Sequence, residues 1–181
     1  MLKNELIRTV EIKDVPMILD IYSYYVENTT ITFEITPPDI DEMKRRVMET
    51  VQAFDWIIYE LNGTTVGYAY YTKFRERKAY DYSCETTVYV HKDFAGKGIG
   101  STLYGQLIHR LKKTSKAVAI GGISLPNEAS VRLHEKMGFK NVGILKNIGR
   151  KFNKWIDVGY WELELKNNDE YIPEAESHTE E

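Results

Sequence analysis

Apolar and polar positions along this chain switch between a period near two and a period near 3.6, and the switches predict its elements. Residues 6–12, LIRTVEI, alternate in part and predict a strand. Asp14 is placed to cap a following helix, with Pro16 in its first turn. Val15, Ile18, Leu19, Tyr22, Tyr25 and Val26 recur at helical spacing and give that helix one apolar face. The β-branched residues and paired prolines of ENTTITFEITPP end it, and Asp39 followed by Glu42 predicts a capped second helix over IDEMKRRVMETV. Two β-rich runs, FDWIIYEL and TTVGYAYYTKF, flank Asn62-Gly63 and predict a hairpin. A polar connection, RERKAYD, leads to a third β-rich run, YSCETTVYVH. Ile99, Leu103, Leu107 and Leu111 recur every four residues and predict a helix, and KAVAIGGISL reads as a buried strand. Asn127 caps EASVRLHEKM, Gly138 stops it, and FKNVGILKNIGRKF with KWIDVGYWELEL predicts a closing antiparallel pair.

The resulting order, βααβββ, αβ, αββ, predicts an α/β (α+β) fold: one mixed sheet of about seven strands with helices on both faces. Residues 1–166 form one domain in this reading, and the acidic residues 167–181 a frayed or flexible tail. At 181 residues the chain is long enough to bury a core without disulfides, and its one cysteine, Cys84, excludes both an internal disulfide and a zinc cluster. A net charge of −3 argues against nucleic acid as partner. The charged N-terminus lacks the apolar run of a signal peptide, and no stretch reaches the roughly 20 apolar residues of a membrane span. The expectation is a cytoplasmic protein with no membrane partner.

The segment DFAGKGIGST, residues 93–102, places glycines between a strand and a helix, where backbone N–H groups and the helix N-terminus favour an anion such as phosphate. It contains no Gly-Lys-Ser/Thr, so it is not a Walker A loop. Ser101 stands where the dinucleotide fingerprint needs its third glycine. The remaining G-x-G-x-G spacing suits the pyrophosphate arm of coenzyme A; a turn that binds nothing is the alternative. Glu85 is a carboxylate within the otherwise uncharged run YSCETTVYV, and is there either paired, solvated on a strand face or functional. Cys84 points to the opposite side of that strand and has no histidine beside it in sequence, which favours a buried structural thiol over an acyl-enzyme nucleophile.

VYVHKDFAGKGIGSTLYGQLI and SLPNEASVRLHEKMGFKNVG resemble the two signatures of the GNAT N-acetyltransferase superfamily. TFE, RKAYDY, ETTVYV, GIGSTLY, LPNEASVRLHE and WIDVGYW resemble its phosphinothricin (methionine sulfoximine) N-acetyltransferase branch, across residues 32–161. One departure stands inside the loop: the superfamily opens it with Gln or Arg, and this chain has Ala95.

The resemblance implies acetyl-CoA as co-substrate, no metal, and direct acetyl transfer to a small-molecule amine, with detoxification of amino-acid analogues as the role. Transfer to another amine, such as a protein N-terminus or a polyamine, and a non-catalytic CoA-binding module are the alternatives. Phosphates would be held by Gly96, Lys97, Gly98, Ile99, Gly100 and Ser101, with Asn127 a further cofactor contact. The pantetheine arm would pair with Val88, Tyr89 and Val90, provided the strand beside them splays away. Glu85 would be the base that takes the amine's proton, and His134 an acid or second base. Phe33, Glu34, Phe74, Arg75, Arg77 and Tyr80 would form the acceptor pocket, where guanidinium forks suit a carboxylate or phosphinate. A homodimer is implied as well, with the C-terminal hairpin as a possible face.

Overall fold

The structure is a computed structural model and describes residues 4–166; the acidic tail expected over 167–181 lies outside the described residues. The elements run β1 (Glu5–Thr9), α1 (Val15–Asn28), α2 (Ile40–Ala53), β2 (Trp56–Leu61), β3 (Thr64–Lys73), β4 (Ser83–Val90), α3 (Ile99–Leu111), β5 (Val118–Leu125), α4 (Glu128–Lys136), β6 (Lys140–Lys151) and β7 (Lys154–Glu164). This is the order the pattern predicts. The strands form a single seven-stranded sheet in the order β1-β2-β3-β4-β5-β7-β6. Every pairing is antiparallel except β4 with β5.

Two apolar layers hold the sheet. On one face Val15, Ile18 and Ile21 of α1 and Met43 and Val47 of α2 pack with Trp56, Ile58 and Tyr68. On the other, Leu103, Leu107 and Leu111 of α3 meet Ile57, Val66, Ala69 and Ala119. Because successive strand residues face opposite layers, a strand covered on both sides reads as a continuous apolar run, and WIIY of β2 is buried at all four positions.

Asp14 does not cap α1. Its backbone is helical and its side chain makes no cap bond, because a short 3-10 turn, Ile12–Asp14, runs directly into the helix. The carboxylate is instead buried, accepting two hydrogen bonds from the Arg8 guanidinium at 2.7 and 2.8 Å and one each from the Glu11 N–H and the Thr65 hydroxyl. Burial pushes its pKa up, but these donors override burial and hold it below the ordinary value. Asp39 does cap α2, accepting from Glu42 N at 2.8 Å.

The parallel β4–β5 ladder is short. It pairs Ser83, Cys84 and Glu85 with Val118, Ala119 and Ile120 and goes no further, while β5 continues beside β7 to Leu125. The two strands splay apart beyond Glu85. β4 remains paired with β3 through Val90, so its other edge opens toward β5 without a ladder. Just past the last pair, the Thr86 hydroxyl donates to the Ile120 carbonyl at 3.1 Å. With that hydrogen committed, the Tyr104 hydroxyl donates to Thr86 Oγ1 at 2.7 Å.

Candidate active site

The splay opens a cleft. One part, with a cavity of about 200 Å³, is lined by Glu85 through Tyr89 on β4, by Gly122, Ile123 and Ser124 on β5, and by Asn127, Ser130 and His134 on the α4 side. A second part, of about 330 Å³, is lined by Phe33, Ile148, Val158 and Tyr160. The two share Ile31, Glu85, Gly122 and Ser124. Glu85 therefore stands at the junction of two recesses, one bounded by the free edge of β4 and the other by the segment after α1 and the β6–β7 hairpin.

Glu85 is half-buried, and no hydrogen bond or ion pair reaches its carboxylate among the described residues. Burial raises its pKa above the ordinary carboxylate value. Space for it comes from β5: a Cβ on Gly122 would lie 3.4 Å from Glu85 Oε1.

His134 lines the same cleft from α4 and is buried. Its Nδ1 lies 2.8 Å from the Ser130 carbonyl oxygen. A carbonyl only accepts, so Nδ1 carries the hydrogen and Nε2 the lone pair in the neutral ring. Tyr104 and Phe139 pack edge-on against the imidazole, with centroids 5.0 and 5.1 Å away. Burial lowers its pKa, against the Ser130 bond, which raises it. Asn127 caps α4, its side chain accepting from Ser130 N at 3.2 Å, so the same residue that starts the helix lines the cleft.

The glycine loop closes over the end of β4. Gly96 and Gly98 adopt φ of +75° and +85°, a conformation that L side chains rarely take, while a Cβ on either would meet nothing within 4 Å. Backbone shape, not crowding, fixes glycine there. Gly100 sits in the first turn of α3, where a Cβ would fall 3.6 Å from Val90 Cγ2 and 3.5 Å from Leu133 Cδ2, so the helix N-terminus abuts both β4 and α4. The first N–H groups of a helix have no intrahelical acceptor, and those of Ile99, Gly100 and Ser101 are such donors. Lys97 folds back on the loop: its Nζ donates to the Asp93 carbonyl at 2.6 Å and lies 4.9 Å from the Phe94 ring centroid. A β4 edge without a ladder, its last carbonyl at Val90 accepting from the Tyr25 hydroxyl at 2.6 Å, leads to a helix N-terminus with open space about Gly96 and Gly98, an arrangement that fits a long ligand carrying phosphates.

The residues expected at the acceptor pocket separate into three groups. Phe33 lines the second recess. Glu34 lies elsewhere, paired with Arg46 at 2.6 Å and lining a cavity between α1, α2 and the sheet. Phe74, Arg75 and Tyr80 form a cluster on the β3–β4 connection, with the guanidinium 5.1 and 5.8 Å from the two ring centroids; these three and the exposed Arg77 line neither recess of the cleft. Cys84 is fully buried in the core, and burial pushes its thiol pKa up to about 12. Among the described residues no group of three or more His, Cys, Asp and Glu side chains gathers to hold a metal, and no helix is long and apolar enough to cross a membrane.

A family model described as an acetyltransferase (GNAT) domain matches residues 7–159. The chain belongs to the GNAT acetyltransferase family. Among GNAT relatives, it is 36% identical over 170 residues to phosphinothricin N-acetyltransferase of Alcaligenes faecalis, covering 93% of this chain and 86% of the other. It is 31% identical over 160 residues to an L-methionine sulfoximine/L-methionine sulfone acetyltransferase of Salmonella typhimurium, covering 88% and 94%. Its fold is similar to the crystal structure of a GNAT phosphinothricin acetyltransferase from Sinorhizobium meliloti in complex with acetyl-CoA, with a TM-score of 0.90, 29% identity and 94% of each chain covered. The splay and Glu85 share one cleft, and the glycine loop follows the end of β4 beyond its lining. The sequence singled out the glycine loop, Glu85, Asn127 and His134. It missed Gly121, Gly122 and Ser124, which lie within an apolar run read as plain core.

Proposed function

We propose that this GNAT chain transfers acetyl from acetyl-CoA to the amino group of small amino-acid analogues of the phosphinothricin, methionine sulfoximine or methionine sulfone type. The observation that carries this reading is the position of Glu85, an unpartnered carboxylate where the recess along the free β4 edge meets a second recess. The relatives named above supply the acceptor class. Acetyl-CoA goes along the first recess, its phosphates against the backbone of Gly96 to Ser101 beside Lys97, and its pantetheine arm along Val88, Tyr89 and Val90 near Asn127.

The acceptor is an amine whose ordinary pKa, roughly 8–10, leaves it cationic at neutral pH. Glu85 takes one N–H proton. The nitrogen lone pair attacks the thioester carbonyl carbon, the C–N bond forms, and backbone N–H groups of the free β4 edge stabilise the oxyanion. The C–S bond then breaks, the nitrogen, cationic once the C–N bond has formed, gives up its second proton, and the thiolate takes a proton from solvent. His134, held neutral with its lone pair on Nε2, suits a second proton acceptor better than an acid.

Phe33 belongs to the acceptor side. A role for Phe74, Arg75, Arg77 or Tyr80 needs the acceptor to extend beyond the two recesses toward the β3–β4 connection, and a role for Glu34 needs it to reach the separate cavity beside α1 and α2. A cytoplasmic location accords with the co-substrate. The homodimer has a candidate face in the exposed apolar residues Val142, Ile144, Ile148, Phe152 and Trp155 of the β6–β7 hairpin, and size-exclusion chromatography with light scattering tests it.

Thiol release from acetyl-CoA across an acceptor panel tests the reading. Turnover with amino-acid analogues is expected. Acetylation of a peptide N-terminus or a polyamine with none of the analogues would overturn the acceptor class, and tight CoA binding without turnover of any amine would overturn the activity.

A further inference from the structure

The hydroxyl of Ser124 is buried, with Ser124 7% exposed, and its Oγ has no hydrogen-bond partner among the described residues. A buried hydroxyl left unpaired costs roughly 1–3 kcal/mol, so few are kept in a fold. Among the described residues the other two unpartnered buried donors, the indole Nε1 atoms of Trp56 and Trp161, belong to residues that line neither recess of the cleft. Ser124 lines both, and does so at their junction.

Strand geometry explains why it stands there. Ile120 pairs with Glu85 across the last rung of the parallel ladder. Side chains two apart on a strand share a face, so Gly122 and Ser124 continue the Ile120 side of β5, the side on which Glu85 lies. Gly122 has no side chain and leaves room beside the carboxylate; the next side chain along that face is the Ser124 hydroxyl. Of the four residues the recesses share, Ile31 and Gly122 offer no polar side-chain atom. An amine at the junction meets two side-chain polar groups, the Glu85 carboxylate and the Ser124 hydroxyl.

We propose that Ser124 Oγ accepts a hydrogen bond from the acceptor's amino group and so aims its lone pair at the thioester. An ammonium has three N–H bonds. Glu85 removes the hydrogen of one, which leaves the lone pair, and Ser124 accepts from a second; with the C–N bond and that one N–H both held, the direction of the lone pair is set. Orientation of that kind acts on the transfer step and on acceptor binding. Ser124 stands where the coenzyme recess meets the second one, whereas the phosphates and pantetheine arm are assigned to the glycine loop and the β4 edge, so the effect on acetyl-CoA binding is the smaller one. The inference rests on the amine-acetylating reading above.

The test is Ser124→Ala beside the wild type, assayed with the best acceptor of the panel, with both KM values and the melting temperature measured. Loss of a hydrogen bond to a charged group predicts a fall in kcat/KM for the acceptor of about ten- to a hundredfold. KM for acetyl-CoA stays within about twofold, and the melting temperature is unchanged or higher because an unpaired buried hydroxyl has been removed. Equal kcat/KM in the two enzymes overturns the inference while leaving the acetyltransferase reading intact. So does a loss accompanied by a lower melting temperature and a raised KM for acetyl-CoA, which would mark Ser124 as structural. Absence of turnover by the wild type on every amine would overturn both readings together.

Discussion

A side chain on Gly121 and the imidazole of His134 would claim the same space: a Cβ built on Gly121 lies 2.4 Å from His134 Nε2. The contact runs from the β5 backbone to α4 and fixes how closely the histidine approaches the strand. Gly121→Ala is therefore expected to displace His134. The ring cannot give way easily, being boxed by Tyr104 and Phe139. Overpacking of this kind destabilises by about 1–3 kcal/mol. Urea unfolding of the variant, with its acetyl-transfer rate alongside, checks this; a variant as stable and as active as the wild type would show that the ring position is immaterial.

The same economy of side chains occurs at the splay. The Thr86 hydroxyl accepts from Tyr104 and donates to the Ile120 carbonyl at the point where the ladder ends. Thr86→Val keeps the shape and removes both bonds, leaving two buried polar groups unpaired. A loss of about 2–4 kcal/mol is expected, read as a lower urea midpoint with an unchanged m-value. Thr86→Ser, which keeps the hydroxyl, is expected to recover most of it.

Glu85 carries a stability cost whose pH dependence has a definite sign. Burial raises its folded-state pKa, so between the ordinary carboxylate pKa and that raised value the folded state binds more protons than the unfolded one. Stability then falls as pH rises through this window. Glu85→Gln, neutral throughout, is expected to melt higher than the wild type at neutral pH, with the difference shrinking as pH falls into the ordinary carboxylate range. Melting curves of both proteins from pH 4 to 8 test it, and a variant that melts lower at neutral pH would mean the carboxylate has a stabilising partner.

Ala95 is exposed and stands where the superfamily carries Gln or Arg. Ala95→Arg adds a charged fork beside the proposed phosphate cradle at little risk to the fold. KM for acetyl-CoA is expected to fall about three- to tenfold. An unchanged or raised KM would show that the backbone N–H groups and Lys97 suffice.

Much of this was legible in the sequence. Element order followed from periodicity because the core is built on it: Ile99, Leu103, Leu107 and Leu111 all lie buried along one side of α3. The glycine loop was legible because positive φ favours glycine. Glu85 stood out as a charge in an apolar run. What was not legible depends on pairing between distant segments. Asp14 reads as a cap locally, yet Arg8 and Thr65 draw it into the interior. Gly121, Gly122 and Ser124 look like three small residues in a buried strand, and acquire meaning only when His134 and Glu85 arrive from other elements. Arg75 reads as an anion clamp, yet it stacks over Phe74 and Tyr80 outside the lining of the cleft.

Thiol release measured against pH, with methionine sulfone or phosphinothricin as acceptor, tests most directly the claim that Glu85 is the base at the meeting point of co-substrate and amine. The wild-type kcat is expected to rise as Glu85 loses its proton, through an apparent pKa above the ordinary carboxylate value. Glu85→Gln is expected to lose about a hundredfold to ten-thousandfold together with that limb of the profile. A Glu85→Gln enzyme that keeps the wild-type kcat across the pH range would contradict the account.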